Sequence, residues 1–487
     1  MKLKVLIVAI LLGASLQGCS LIPAYHRPEA PVDQSWPQGP GYKASSVGAA
    51  DSAKSIADLH WQQFFRDPAM RQLIGLALTN NRDLRQAALN VDAYRALYRI
   101  QRSELLPTVD VNGSGSRQHL PADRAISGKD GTYGDYELNV GVASYELDVF
   151  GRIQSLDESA LQTYLSTEEA QHSVQVGLVA SVASAYLTWR TDQQLLQIAQ
   201  STMDSYIHGL NVMQSARSAG TTSDLSVRQA RTLVDTARTK TLTYTRRVAH
   251  DMNALALLLG THIPGNLPDD GDWTQRMIAS IPAGLPADIL RQRPDVRAAE
   301  RDLIAANANI GAARAAFYPS ITLTANTGVA SAQLSHLFAG GQGQWTFIPQ
   351  INIPIFNGGR LKANLNYSEI QKDIRVAAYE KSIQVAFSEV ADGLASAGIY
   401  DEQLQAHRDL VQDNSAYLDL ALNRFQHGVD NFLPVLDAQR NLFAAREELA
   451  SNRLLQLQSQ VQLYRALGGG WDDTQLASAR HSEPHLE

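Results

Sequence analysis

The chain has 487 residues, of which 44% are hydrophobic, 19% charged and 7% aromatic, with 49 acids against 42 bases and a single Cys. That length suits roughly two to four domains or one large repeated unit, and the net charge of -7 argues against a basic footprint for nucleic acid. One Cys makes neither an internal disulfide nor a Cys-based zinc site, the 12 His are scattered, and no P-loop or complete dinucleotide fingerprint is present, so composition favours a structural or conducting protein over a metal or cofactor enzyme.

Lys2 and Lys4 precede an apolar run from Val5 to Leu12, and the segment closes on Leu16-Gln17-Gly18-Cys19. The run is too short to cross a bilayer, so residues 1–18 read as a signal peptide. The Leu-x-Gly-Cys ending resembles a bacterial lipobox. That implies that Cys19 becomes the first mature residue and carries a covalent lipid, a diacylglycerol thioether with an N-palmitate, and Ser20 in the next position favours sorting to the outer membrane. Without residues 1–18 the balance is 40 bases against 49 acids, or -9. No later stretch holds about 20 uninterrupted apolar residues, so any membrane crossing must be by strands.

Residues 19–66 carry Pro23, Pro28, Pro31, Pro37 and Pro40 and read as an extended, lipid-anchored tether. From Asp67-Pro68 a helical pattern runs through Leu73, Leu76, Leu84, Val91 and Leu97 until Pro107 stops it. A tandem duplication follows. Asp83, Arg85, Arg102 and Pro107 recur as Asp295, Arg297, Arg314 and Pro319, each 212 residues on, whereas Arg152, Gly220, Leu225, Ala230 and Gly260 recur as Arg360, Gly428, Leu433, Ala438 and Gly468, each 208 on. Such a fixed offset marks two repeats, with boundaries at 67–260 and 286–468, joined by a Pro- and Gly-rich linker at 261–285 and followed by a polar tail at 469–487.

Within each repeat two alternating runs follow the proline. Val109 and Val111, then Tyr136, Leu138, Val140 and Val142, are answered by Ile321, Leu323 and Ala325, then Trp345, Phe347, Ile351, Ile353 and Ile355. Period-two runs of about ten residues fit tilted membrane strands, apolar toward lipid and polar toward a lumen. Proline-free helical stretches come next, from Arg152 to about Arg217 and from Arg360 to about Gln426, with Ile383, Phe387, Val390, Leu394, Ala397, Leu404, Val411 and Leu418 on a coiled-coil seam. Gly220 and Gly428 turn the chain, and return helices end at the C-cap glycines Gly260 and Gly468.

Four strands cannot close a barrel, and open strand edges are not tolerated in lipid. The chain must therefore oligomerise, with two chains giving a filled eight-stranded barrel and three a wider one.

The segments Gly428-Val429-Asp430-Asn431-Phe432-Leu433-Pro434-Val435-Leu436-Asp437-Ala438-Gln439-Arg440, Tyr145-Glu146-Leu147-Asp148-Val149-Phe150-Gly151-Arg152 and Leu467-Gly468-Gly469-Gly470-Trp471 resemble the TolC-type outer-membrane factors in their OprM-like branch. The resemblance runs from Cys19 to about Trp471. It implies a mixed α and β membrane protein, a homotrimer with a twelve-stranded β-barrel continuous with a twelve-helix periplasmic α-barrel, and two tandem repeats per chain. It also implies partners: outer-membrane lipid, a periplasmic membrane-fusion adaptor and an inner-membrane, proton-driven RND transporter. The function implied is the passive exit duct of a tripartite multidrug efflux pump.

By the same resemblance Leu433, Asp437 and Arg440 match a periplasmic gate, where a leucine ring constricts the pore and charges tie neighbouring helices. Their first-repeat counterparts are Leu225, Gln229 and Thr232, without charge. Gly220, Thr221 and Thr222 together with Gly428, Val429 and Asp430 match the adaptor-docking tips. A protein-secretion duct of the same architecture is the runner-up, and a coiled-coil scaffold lipoprotein without a channel is the third reading. No His, acid and nucleophile constellation emerges, so neither enzyme activity nor any cofactor beyond the lipid is expected.

Overall fold

A computed structural model describes residues 20–42, 60–125, 128–268, 278 and 287–469. The signal peptide, Cys19, most of the inter-repeat linker and the tail from Gly470 lie outside the described residues. The helices are α1 (Trp61–Phe64), α2 (Pro68–Asn80), α3 (Arg82–Ser103), α4 (Arg152–Ser218), α5 (Asp224–Leu259), α6 (Pro294–Ala315), α7 (Arg360–Gln426) and α8 (Leu433–Ala466). The strands are β1 (Asp110–Leu120), β2 (Gly131–Leu147), β3 (Ser320–Ser331) and β4 (Gly343–Asn352). The order α3-β1-β2-α4-α5 is repeated as α6-β3-β4-α7-α8. Among the described residues no helix is long and apolar enough to cross a membrane.

The described residues divide into two compact units, one within 1–29, 90–167 and 298–379 and the other within 30–89, 168–297 and 380–487. The first holds a four-stranded antiparallel sheet in the order β1-β2-β3-β4. Its register puts Val111 opposite Val140, Val140 opposite Thr327 and Thr327 opposite Trp345, so the expected apolar residues share one face. On the other face Asn139 sits opposite Gly328 and Gly141 opposite Asn326. A Cβ on Gly328 would collide with the Leu138 carbonyl oxygen, and one on Gly141 with that of Ala325, so these glycines permit the strands' close approach. A bulge between Val142 and Tyr145 shifts the register of β2.

Three expectations need correction. First, β4 ends at Asn352, so Ile353 and Ile355 lie beyond the strand, where Pro354 has no N–H to offer a ladder. Second, the expected extended tether is held against α6 over residues 20–27. Ile22 lies where a Cβ on Gly311 would come within 2.6 Å of it, the Pro23 carbonyl accepts a bond from Asn307 Nδ2 at 2.8 Å, and Tyr25 and Arg27 converge on Glu300. Positions 300, 307 and 311 share one face of α6, along which the segment runs antiparallel. Third, the helix expected from 67 to 107 is two helices, broken at Asn81, whose ψ of 133° is extended.

In the second unit α4 and α7 continue. Each spans 67 residues, about 100 Å at 1.5 Å per residue. Along α7, Ile383, Val390 and Leu404 are buried as the seam requires, whereas Ala397 is exposed. Phe64 stacks on Tyr464 with ring centroids 3.9 Å apart. The two return helices are closed by matched devices. Asn81 Nδ2 donates to the Leu258 carbonyl at 2.9 Å, while its Oδ1 caps α3 through the Leu84 N–H. The position 212 residues later is Arg293, whose Nη1 donates to the Ala466 carbonyl at 2.7 Å. Gly260 (φ 67°) and Gly468 (φ 78°) stand beside these contacts as left-handed caps.

Candidate functional site

The two hairpin tips are built alike. Gly220 (φ 75°) and Gly428 (φ 71°) end α4 and α7, and the next N–H in each, from Thr221 or Val429, reaches back to the Ala216 or Arg424 carbonyl at 2.9 Å. This pattern satisfies orphan helix carbonyls and demands left-handed backbone at the glycine. Each tip is also stapled by an ion pair. Arg217 donates to both carboxylate oxygens of Asp224 at 2.8 and 3.1 Å, and Arg424 to both of Asp430 at 2.6 and 3.2 Å. The guanidinium in each case holds its partner's carboxyl below the usual range. The Asp430 carboxylate is thus engaged within the chain, and Val429, 58% exposed, is the tip's free apolar side chain.

Behind the second tip Phe432, Val435, Leu436 and Ala438 bury against Met213, Ala230 and Ala421. This packing fixes the outward face of α8. Leu433, Asp437 and Arg440 lie on that face and share an open groove of about 530 Å³ with Gln229 and Thr232, the uncharged first-repeat counterparts, and with Tyr417. Leu433 is 54% exposed and its counterpart Leu225 67%. Asp437 accepts bonds from Arg440 Nη2 and, at 3.2 Å, from Asn441 Nδ2, so its charge is paired along its own helix. The expectation had Arg holding the carboxylates between neighbouring helices, and within one chain the pair is local.

Sequence reasoning missed a second polar assembly farther up α8. Glu447 accepts from Lys240 Nζ at 3.2 Å and from the Tyr244 hydroxyl at 2.5 Å, tying α8 to α5. Arg247 packs over the Tyr244 ring and lies 3.8 Å from Asp192 of α4. Burial, reinforced by the Asp192 charge, pushes the Asp251 carboxyl up to about 6. Lys240, Tyr244, Arg247 and Asp251 recur at helical spacing on one face of α5, a polar stripe from which the assembly could have been found.

A family model described as outer membrane efflux protein matches residues 73–261 and 285–469. The chain is 57% identical over 467 residues to the toluene efflux pump outer membrane protein TtgF of Pseudomonas putida, covering 96% of this chain and 97% of that one. It is 40% identical over 466 residues to outer membrane protein OprJ of Pseudomonas aeruginosa, with 96% of each chain covered. Among solved structures, the open state of the Neisseria gonorrhoeae MtrE outer membrane channel superposes with a TM-score of 0.83 at 35% identity, over 93% of this chain and 98% of that one.

Proposed function

The chain belongs to the outer membrane efflux protein family and is the outer-membrane channel of an efflux pump, with the family's trimeric barrel architecture, and from that premise we propose how it is gated and what it meets in the periplasm. The observation that carries the reading is the groove in which Leu433, Asp437 and Arg440 of one repeat face Gln229 and Thr232 of the other. An exposed ion pair at this helical spacing contributes only about 0.3–0.5 kcal/mol. A single chain's Asp437–Arg440 pair is therefore too weak to hold a duct shut. Closure requires three copies to converge, shed water and bring the leucines together as an apolar constriction. Because the groove positions carry charge in the second repeat and none at Gln229 and Thr232 of the first, the second repeat's hairpin moves and the first serves as the frame.

The tips meet a periplasmic membrane-fusion adaptor, which couples the channel to an inner-membrane RND transporter. The Arg–Asp staples preorganise each tip and leave Val429, Thr221 and Thr222 to make contact. The chain itself carries out no chemistry and takes no cofactor beyond a lipid on Cys19. Asp437→Ala is expected to raise single-channel conductance in a planar bilayer, and unchanged conductance would remove the gate assignment. Bulky substitutions at Thr222 and Val429 are expected to abolish adaptor crosslinking and drug export, and retention of both would remove the docking assignment.

A further inference from the structure

Directly opposed residues of the sheet share a face, and a Cβ on Gly113 or Gly115 would meet the Leu138 or Tyr136 side chain, so odd positions of β1 and even positions of β2 point the same way. The register carries that face on to Trp345 and Phe347, 77% and 58% exposed, which meet lipid. Along β1 and β2 it holds Val111, Val140 and Leu138, then Tyr136, then Arg117 and His119 beside the 121–130 turn. That turn is extracellular, because the other end of the hairpin joins the periplasmic helices. Arg117 is the only Arg or Lys in the four strands. A charge facing lipid needs an anion, yet Arg117 is exposed and makes no hydrogen bond or ion pair among the described residues. Asp110, Asp135 and Glu137 lie on the opposite face, and Asp130 of the turn is 2.9 Å from His119 Nε2. In the closed barrel β1 runs beside β4 of the next chain, and neither β4 nor the loop before it, residues 332–342, holds an Asp or Glu. Gly134, directly opposite Arg117, has no room for a side chain: a Cβ there would lie 2.5 Å from the Ala332 carbonyl oxygen and 2.8 Å from the Tyr136 ring. Arg117 therefore stands beside bare backbone edged by the Tyr136 ring.

We propose that Arg117, with the bare backbone at Gly134 and the Tyr136 ring, forms a binding site for a phosphate group of outer-leaflet lipopolysaccharide. Arg117 lies six residues beyond Val111, about 20 Å along the strand and about 16 Å along the barrel axis at a tilt near 40°. This sets it in the outer half of an apolar band about 25 Å tall, and a long Arg side chain carries its charged head from there to the interface. The outer leaflet of a bacterial outer membrane is built from lipopolysaccharide, whose lipid A sugars carry phosphates. A guanidinium matches two phosphate oxygens with parallel N–H donors. Tyr136 supplies the amphipathic ring that sits at headgroup level. An unpaired Arg on the lipid face is destabilising in a depth-dependent way, so pairing with a phosphate relieves a strain on the fold. Because β1 is the edge strand of the sheet, one such site stands at each junction between chains. The site requires only the outer-membrane barrel and is independent of the gate.

The test is lipid binding to the purified, detergent-solubilised full-length trimer, read by native mass spectrometry, with bis-phosphorylated lipid A, dephosphorylated lipid A and phosphatidylglycerol as probes. The wild-type trimer is expected to hold one bis-phosphorylated lipid A per chain and to bind it about tenfold more tightly than the dephosphorylated form, the effect of one hydrogen bond between charged groups. Arg117→Gln is expected to erase that difference, and Arg117→Lys, which keeps the charge without the fork, to retain part of it. Conductance of Arg117→Gln in a planar bilayer should equal that of wild type, which separates a lost site from a lost barrel. Equal binding of the two lipid A forms by the wild-type trimer would overturn the inference, and that comparison stands even if Arg117→Gln fails to assemble. A preference that survives Arg117→Gln would overturn it too, as would phosphatidylglycerol bound as tightly as lipid A. A wild-type trimer that binds lipid A as expected but never conducts would overturn the channel reading and leave the lipid site standing.

Discussion

Arg293 is the most consequential single side chain outside the groove. Its guanidinium donates from Nε to Asp295 at 3.0 Å, from Nη2 to Asp295 at 2.7 Å and to Glu389 at 2.8 Å, and from Nη1 to the Ala466 carbonyl at 2.7 Å. It thereby joins the start of α6, the middle of α7 and the end of α8 with a side chain only 8% exposed. Breaking a fully buried ion pair by removing one partner costs about 3–5 kcal/mol. Here Asp295 and Glu389 are 39% and 31% exposed, and Glu389 keeps Arg465 at 2.9 Å, so water and the second Arg offset part of the loss. Arg293→Ala is accordingly expected to cost about 2–3 kcal/mol. Arg293→Lys, which retains charge but not the fork, should cost less. Asn81→Ala, at the matching position, removes neutral bonds worth about 1–2 kcal/mol. Denaturant unfolding of the detergent-solubilised protein, followed by Trp fluorescence at constant slope, gives the order. Arg293→Ala within about 0.5 kcal/mol of wild type, the range of ordinary surface changes, would refute the reasoning, as would a larger loss for Asn81→Ala.

Three further outcomes can be checked. The Asp251 carboxyl, at about 6 in the folded chain against 3.8 ordinarily, binds a proton more tightly when folded. Stability should therefore fall as pH rises from about 4 to 6, and Asp251→Asn should raise the unfolding midpoint at pH 7.5 but give no such gain below pH 4. Glu447→Ala leaves Lys240 and Tyr244 without their acceptor and should lower stability by about 1–3 kcal/mol, with Glu447→Gln losing less; equal losses would deny the charge a role. Gly328→Ala should prevent recovery of an SDS-resistant trimer because of the close Leu138 carbonyl. Gly340→Ala, with open space around its Cβ position, should leave the trimer intact, and loss of trimer in both would show that the clash is not the cause.

Much of the helical architecture was legible because its ends are chemically marked. Helical runs close on Gly220, Gly260, Gly428 and Gly468, all with positive φ, and the proline-free α4 and α7 match the expected spans within a residue. The break at Asn81 was hidden because apolar spacing runs on through Leu76 and Leu84, while the cause of the break is a tertiary bond to Leu258. Arg293 escaped the duplication for a related reason: its counterpart is Asn81, so a search for identities passes over a position where function is matched and residue type is not. Alternation correctly sorted the strands' faces, yet carried on past Asn352 because Pro354 interrupts hydrogen bonding without interrupting the apolar pattern. The place of Arg117 on the lipid face became apparent only with the register. The groove residues were identified by resemblance, since Asp437 and Arg440 alone read as an ordinary surface pair.

The most direct measurement deletes the gene and records, in one strain, susceptibility to chemically unrelated antibiotics and solvents beside the secreted proteome. An efflux channel predicts broad hypersusceptibility with normal secretion, reversed by the wild-type chain. Lost secretion with unchanged susceptibility, in a strain with no second channel, would contradict the account.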